Sequence, residues 1–126
     1  MKILTIIFLF SINSFAQTKI VPLYYATITR IVDGDTMDAK IDLGFGLVLD
    51  GKLRIAKYDA PEIFSPKTKV EEELGQKAKK YTTTILLNKP VILRIRGKDK
   101  YGRILSDVEV NGKDFATDMI AKGFVK

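Results

Sequence analysis

β-branched, aliphatic and aromatic residues concentrate in three consecutive stretches, Leu23 to Val32, Thr36 to Leu43 and Leu47 to Tyr58. Asp33-Gly34 and Gly44-Phe45-Gly46 separate them, where glycine permits the backbone to turn, so three strands are predicted. The spacing then changes. From Lys69 to Leu87 the apolar positions Leu74, Ala78, Tyr81 and Ile85 recur every three or four residues, which lines one face of a helix, and Asn88-Lys89-Pro90 ends it. Val91 to Arg96 reads as a fourth strand and Arg103 to Val110 as its hairpin partner across Tyr101-Gly102, with Asn111-Gly112 as a further turn. A short helix from Asp114 to Lys122, with Phe115, Met119 and Ile120 on one side and Gly123 as its stop, completes the chain. Five strands with a helix between the third and fourth give the layout of a five-stranded OB-fold, a β-barrel with helices in the α+β class.

The first sixteen residues follow another pattern. Lys2 precedes the apolar run Ile3 to Phe10, and Ser14-Phe15-Ala16 supplies the small-x-small residues of a cleavage site before Gln17. This predicts a signal peptide over residues 1–16, and a secreted or periplasmic domain over 17–126. A buried N-terminal strand and an uncleaved anchor are the alternatives, although the run is shorter than the roughly 20 residues of a membrane span.

Composition narrows the chemistry. The 126 residues include no His and no Cys, which excludes imidazole or thiolate metal centres, disulfides and His- or Cys-based nucleophilic catalysis. A metal held by this chain must accept oxygen ligands, which points to Ca²⁺, Mg²⁺ or Mn²⁺. The chain carries a formal charge of +6. Its basic residues concentrate between Lys67 and Arg103, where eleven stand against four acidic ones. Such a surface attracts polyanions, nucleic acid above all, although a solvated Lys-rich helix face has the same composition.

Three short motifs could carry chemistry. Asp33-Gly34-Asp35-Thr36 can present hard oxygen ligands at a strand junction. Asp59-Ala60-Pro61-Glu62 holds two more carboxylates on a proline turn shortly after Arg54, and the same spacing suits a helix capping box. Asp99-Lys100-Tyr101-Gly102-Arg103 gathers two cations and a phenol at a hairpin tip, suited to phosphate and base contacts.

Taken in order, these motifs and the elements between them resemble the staphylococcal nuclease family from about Tyr25 to Val125. The resemblance implies the five-stranded OB barrel and Ca²⁺-dependent hydrolysis of DNA and RNA to products ending in 3′-phosphate. It implies one calcium ion held by Asp35, Asp59 and the main-chain oxygen of Ala60. It further implies Glu62 as general base on the attacking water, Arg54 and Arg103 as the pair on the scissile phosphate, and Lys100 and Tyr101 on a neighbouring phosphate. Nucleic acid is then the partner, the protein a monomer, with no stable membrane association once the leader is removed. The chain departs from the family pattern in Ala60, where Thr is frequent, and in a longer connection between Thr36 and Arg54. It also stops at Lys126, where the family usually continues with a further helix, so a marginally stable domain is expected. A non-catalytic nucleic-acid-binding OB module and a truncated remnant are the alternative readings.

Overall fold

The computed structural model describes residue 16 and residues 18–126. Apart from Ala16, the predicted signal peptide therefore lies outside the described residues. Strand β1 (Leu23–Ile31) pairs antiparallel with β2 (Thr36–Gly44), and β2 with β3 (Leu47–Ile55). On its other edge β1 pairs antiparallel with β4 (Pro90–Lys98), and β4 with β5 (Ile104–Val110). A parallel pairing of Leu53 to Ile55 with Ile104 to Ser106 joins β3 to β5 and closes the barrel. Helix α1 (Lys69–Leu86) lies between β3 and β4 in the chain, as an OB-fold requires. A two-residue strand, β6 (Lys113–Asp114), folds back on β5 through Asn111-Gly112 and leads into helix α2 (Phe115–Ala121).

The core sits inside the barrel and under the two helices. Ile28, Met37, Leu53, Ile55, Leu93 and Val108 fill the interior, while Leu86, Phe115 and Met119 cap it. The pattern follows strand alternation, because every second residue of each strand turns inward.

Three details differ from the sequence expectation. Strand β3 ends at Ile55 instead of Tyr58, because Lys57 adopts a positive φ of 60° and breaks the ladder. The deepest face of α1 is Gly75, Ala78, Thr82 and Leu86, with Leu74, Tyr81 and Ile85 half-buried beside it. The helix is rotated because its close neighbour there is main chain, which small residues admit and large ones do not. On α2, Ala116 joins Phe115 and Met119 in the buried face, while Ile120 is half exposed.

Helix α1 starts at Thr68, whose side chain accepts from the Glu71 amide at 3.1 Å, while Glu71 accepts from the Lys67 amide at 2.8 Å. The reciprocal cap therefore stands at Thr68 and Glu71, not at Asp59 and Glu62. Helix α2 ends in a Schellman-type cap: Gly123 has φ 79°, and the Phe124 amide donates to the Met119 carbonyl at 3.1 Å. That turn sends Phe124 back onto Tyr81, with ring centroids 5.5 Å apart. The Tyr58 hydroxyl donates to the Phe124 carbonyl at 2.6 Å, pinning the last residues beside the 56–63 loop.

Candidate active site

The turn between β1 and β2 delivers Asp35 to the barrel rim almost completely buried, at 7% exposure. A buried carboxylate needs partners, and Asp35 has them. One oxygen accepts from the Thr36 hydroxyl at 3.0 Å, the other from the Ala60 amide at 2.7 Å. Asp35 therefore ties the first motif to the second across 25 residues of chain. The tie requires close approach. A Cβ on Gly34 would lie 2.8 Å from the Ala60 Cβ and 3.2 Å from the Ala78 Cβ, so Gly34, Ala60 and Ala78 form one tightly stacked set of small residues.

Arg54 lies opposite Thr36 in the β2–β3 register, and its guanidinium bridges Asp35 through Nη1 and Asp59 through Nη2. Nη1 is buried and close to Asp35 yet misaligned for a hydrogen bond. Burial pulls the Arg54 pKa down, but the charges of Asp35 and Asp59 outweigh it and the net shift is upward. Asp33 completes the acidic group. Its carboxylate accepts from the Asp35 amide at 3.1 Å, and burial, followed by the neighbouring Asp35, pushes its pKa up to about 6. Tyr58 is likewise raised, by burial and then by Asp35 and Asp33. Two carboxylates thus face one guanidinium, with Asp33 bonded to the Asp35 amide beside them. Beside Arg54 and Asp59 a cleft of about 320 Å³ opens, bordered by Lys57, Tyr58 and Leu105.

The third motif forms a compact hairpin tip. Asp99 accepts from the Tyr101 and Arg103 amides, each at 2.9 Å, and from Arg103 Nε at 2.6 Å. Those bonds pull the Asp99 pKa below the usual carboxylate range, although desolvation opposes them. The exposed Tyr101 ring has Lys100 Nζ at 5.1 Å and Arg103 Cζ at 5.3 Å from its centroid. The parallel pairing of Leu53 with Ile104 and of Arg54 with Leu105 places Arg103 two residues before the partner of Arg54 on the adjacent strand.

The structure thus gathers Asp35, Arg54, Asp59 and Ala60 into one contact group and Lys100, Tyr101 and Arg103 into another, on adjacent strands. Glu62 stands apart from both. Its half-exposed carboxylate accepts from Lys126 Nζ at 3.1 Å, and its main chain rests on Gly75 of α1. The sequence reading singled out neither Asp99 nor Gly75. The first was visible as a carboxylate four residues before Arg103, and the second as a glycine inside a helical pattern, which marks close packing.

The acidic group suits a hard dication by its chemistry. Asp35 and Asp59 are hard oxygen donors, and Asp33, bonded to the Asp35 amide, adds a third carboxylate beside them. Among the described residues no three acidic side chains close to metal-ligand spacing. A pair of carboxylates supplemented by main-chain oxygen is what this set can offer.

Comparison with known proteins bears directly on this arrangement. Residues 52–126 match the family model described as staphylococcal nuclease homologue. The chain belongs to the staphylococcal nuclease family. The matched span contains Arg54, Asp59 to Glu62 and Lys100 to Arg103, while Asp33 to Thr36 precede it. The chain is also 30% identical to an uncharacterised endonuclease of Haemophilus influenzae, over 76% of this chain and 48% of that protein. It is 30% identical to endonuclease YhcR of Bacillus subtilis, over 80% of this chain and 9% of the relative. An uncharacterised Methanocaldococcus jannaschii protein is 28% identical, over 82% of this chain and 58% of its own length. The chain thus spans about half the length of two of these relatives and a small part of the third.

Proposed function

We propose that this member of the staphylococcal nuclease family is a Ca²⁺-dependent nuclease, cleaving DNA and RNA to products ending in 3′-phosphate. The observation that carries the reading is the convergence of Asp35 and Asp59, from separate segments, on the Arg54 guanidinium, which together with Asp59 borders a cleft. The family match and two relatives named as endonucleases support it.

In this reading Asp35, Asp59 and the Ala60 carbonyl would hold one calcium ion, which when bound would supply a hard positive charge beside the phosphate. Arg54 and Arg103 donate to the nonbridging phosphate oxygens, where planar guanidiniums can bind two at once and meet the charge that grows as water adds. Glu62 takes the proton of the attacking water. The phosphorus gains a bond to that oxygen and loses its bond to the 5′ oxygen, which leaves and is protonated. The phosphate stays on the 3′ side. Lys100 and Tyr101 hold an adjacent nucleotide through charge and stacking. Export through the N-terminal leader would place the enzyme where calcium is abundant and the host chromosome is out of reach.

Digestion of single- and double-stranded DNA and of RNA, in Ca²⁺ and in excess chelator, tests the proposal, with product ends mapped by phosphatase sensitivity. Cleavage with calcium only, leaving 3′-phosphates, is the expected result. Unimpaired cleavage in chelator would overturn the metal assignment, and binding without cleavage would favour the non-catalytic OB module.

A further inference from the structure

Two residues past the end of β3, Lys57 stands at φ 60°, in the left-handed region that glycine and asparagine enter at least cost. The turn itself has a clear effect. Leu53 and Ile55 point into the barrel, so strand alternation would send residue 57 inward as well. The left-handed residue breaks that alternation: Lys57 is exposed, and Tyr58 takes the buried position instead. Glycine would make the same turn without strain, so the turn does not account for a lysine. What the turn does is set this side chain at the boundary of two depressions. One is the cleft beside Arg54 and Asp59, and the other is a groove of about 450 Å³ that shares Ala56 and Lys57 with it and continues past Arg94 and Arg96.

Charge distinguishes Lys57 from the other cations of this face. In the groove, Arg94 lies 3.3 Å from Glu109 and Arg96 is paired with Asp107. At the cleft, Arg54 is held by Asp35 and Asp59, and Arg103 by Asp99. Among the described residues no carboxylate lies within ion-pairing distance of the Lys57 ammonium. Its charge is free to meet an anionic ligand in the cleft.

We propose that Lys57 is a substrate-contacting residue that holds a second flanking phosphate, on the side of the scissile phosphate opposite the hairpin tip. This rests on the nuclease reading, in which Arg54 meets the scissile phosphate and Lys100 and Tyr101 a neighbouring one. The parallel seam supplies the order. Leu53 pairs with Ile104, Arg54 with Leu105 and Ile55 with Ser106, and the Ala56 amide extends the seam by donating to the Ser106 carbonyl at 2.9 Å. The hairpin tip precedes Ile104 at one end, Arg54 lies on the seam, and Lys57 follows at the other end. Arg54 and Lys57 are three residues apart, at most about 11 Å of backbone, a gap that one nucleotide and a lysine side chain can bridge. A strand laid along the seam with one phosphate on Arg54 therefore meets positive charge on both sides. A bond next to a strand end lacks one of these flanking phosphates, so internal bonds are cut faster.

A tetrathymidylate whose central linkage alone is an ordinary phosphodiester tests this. Each outer linkage is made either a phosphorothioate, which is charged and cut slowly, or a methylphosphonate, which is uncharged. For the parent, neutralising either outer linkage should lower kcat/KM about tenfold. Lys57→Gly suits the left-handed turn and should melt no lower than the parent. It should lose about as much on the fully charged substrate and become indifferent to one outer linkage, while Lys100→Met becomes indifferent to the other. If Lys57→Gly keeps both sensitivities, or loses the same one as Lys100→Met, the proposal is overturned. Binding of single-stranded oligothymidylate gives a readout independent of cleavage. The slope of log affinity against log salt should fall by about 0.7 in Lys57→Gly and stay unchanged in Lys113→Met, which removes an exposed lysine of β6. An equal slope in parent and Lys57→Gly overturns the proposal whether or not the protein is a nuclease. A fallen slope without cleavage of any nucleic acid keeps Lys57 as a phosphate contact and removes the nuclease reading.

Discussion

Gly75 occupies the middle of α1, where alanine ordinarily stabilises a helix by about 1 kcal/mol over glycine. Here the sign should reverse. A Cβ at position 75 would stand 2.8 Å from the Pro61 carbonyl oxygen, 3.0 Å from that of Glu62 and 3.0 Å from Ile63 Cγ1. Two of the three obstacles are main chain, in a segment anchored by the Ala60 amide on Asp35 at 2.7 Å and by buried Pro61, so they cannot swing aside. Overpacking of this kind costs ~1–3 kcal/mol. Near the upper end of that range, less the helix gain, Gly75→Ala should lose about 2 kcal/mol, several degrees of melting temperature in a domain of this size. The displaced segment is the one bearing Asp59 and Glu62, and a shift approaching 1 Å can cost about a hundredfold in rate. Circular-dichroism melts of Gly75→Ala and of the exposed reference Lys77→Gly, together with plasmid digestion, provide the check. The reference should lose about 1 kcal/mol by helix propensity alone. If Gly75→Ala melts at or above the parent temperature, the close approach is not a constraint and the account of how α1 positions the 59–62 segment fails.

Three further outcomes are expected. Glu62→Gln should lower turnover roughly 10²–10⁴-fold while oligonucleotide affinity, read by fluorescence anisotropy, stays near that of the parent; parental turnover would remove the base assignment. Asp99→Ala should lower cleavage and cost about 1–3 kcal/mol of stability, since it takes the part-buried acceptor from the Arg103 fork and from two amides of the hairpin tip; retained cleavage would show that Arg103 needs no such positioning. Tyr81 donates to Asp118 at 2.5 Å, and that bond, followed by burial, pushes its pKa up to about 12 from 10. The folded form therefore favours the neutral phenol, so this stabilisation is complete below pH 10 and is lost between pH 10 and 12. Over that window the parent should lose more melting temperature than Tyr81→Phe, and equal losses would refute the link.

Most of the barrel was legible because each strand is bounded by residues with one conformational use: Asp33-Gly34, Gly44 to Gly46, Tyr101-Gly102 and Asn111-Gly112 are all turns in the structure. What periodicity could not reveal was close approach of main chain. The apolar ladder of α1 suggested Leu74, Ala78, Tyr81 and Ile85 as the buried face, whereas Gly75, Ala78, Thr82 and Leu86 lie deepest. Thr82 is tolerated there because its hydroxyl hydrogen-bonds the Ala78 carbonyl at 2.9 Å and reaches the Gly34 carbonyl at 3.3 Å, a satisfaction invisible in hydropathy. The same limit applied at the candidate site. Asp35, Arg54 and Asp59 could be singled out from motif chemistry, but their joining depends on the Ala60 amide meeting Asp35 and on Gly34 leaving room for Ala60. Asp59 to Glu62 read equally well as a helix cap, and only the three-dimensional position of Asp35 decides against it. With Asp35 fixed on Ala60, Asp59 turns toward Arg54 instead of starting a helix, and α1 begins at Thr68 with a cap of its own. A short carboxylate motif therefore acquires its meaning from the small residues that let distant main chain reach it, here Gly34, Ala60 and Gly75, and those positions are the ones at which a single added methyl group should do most harm.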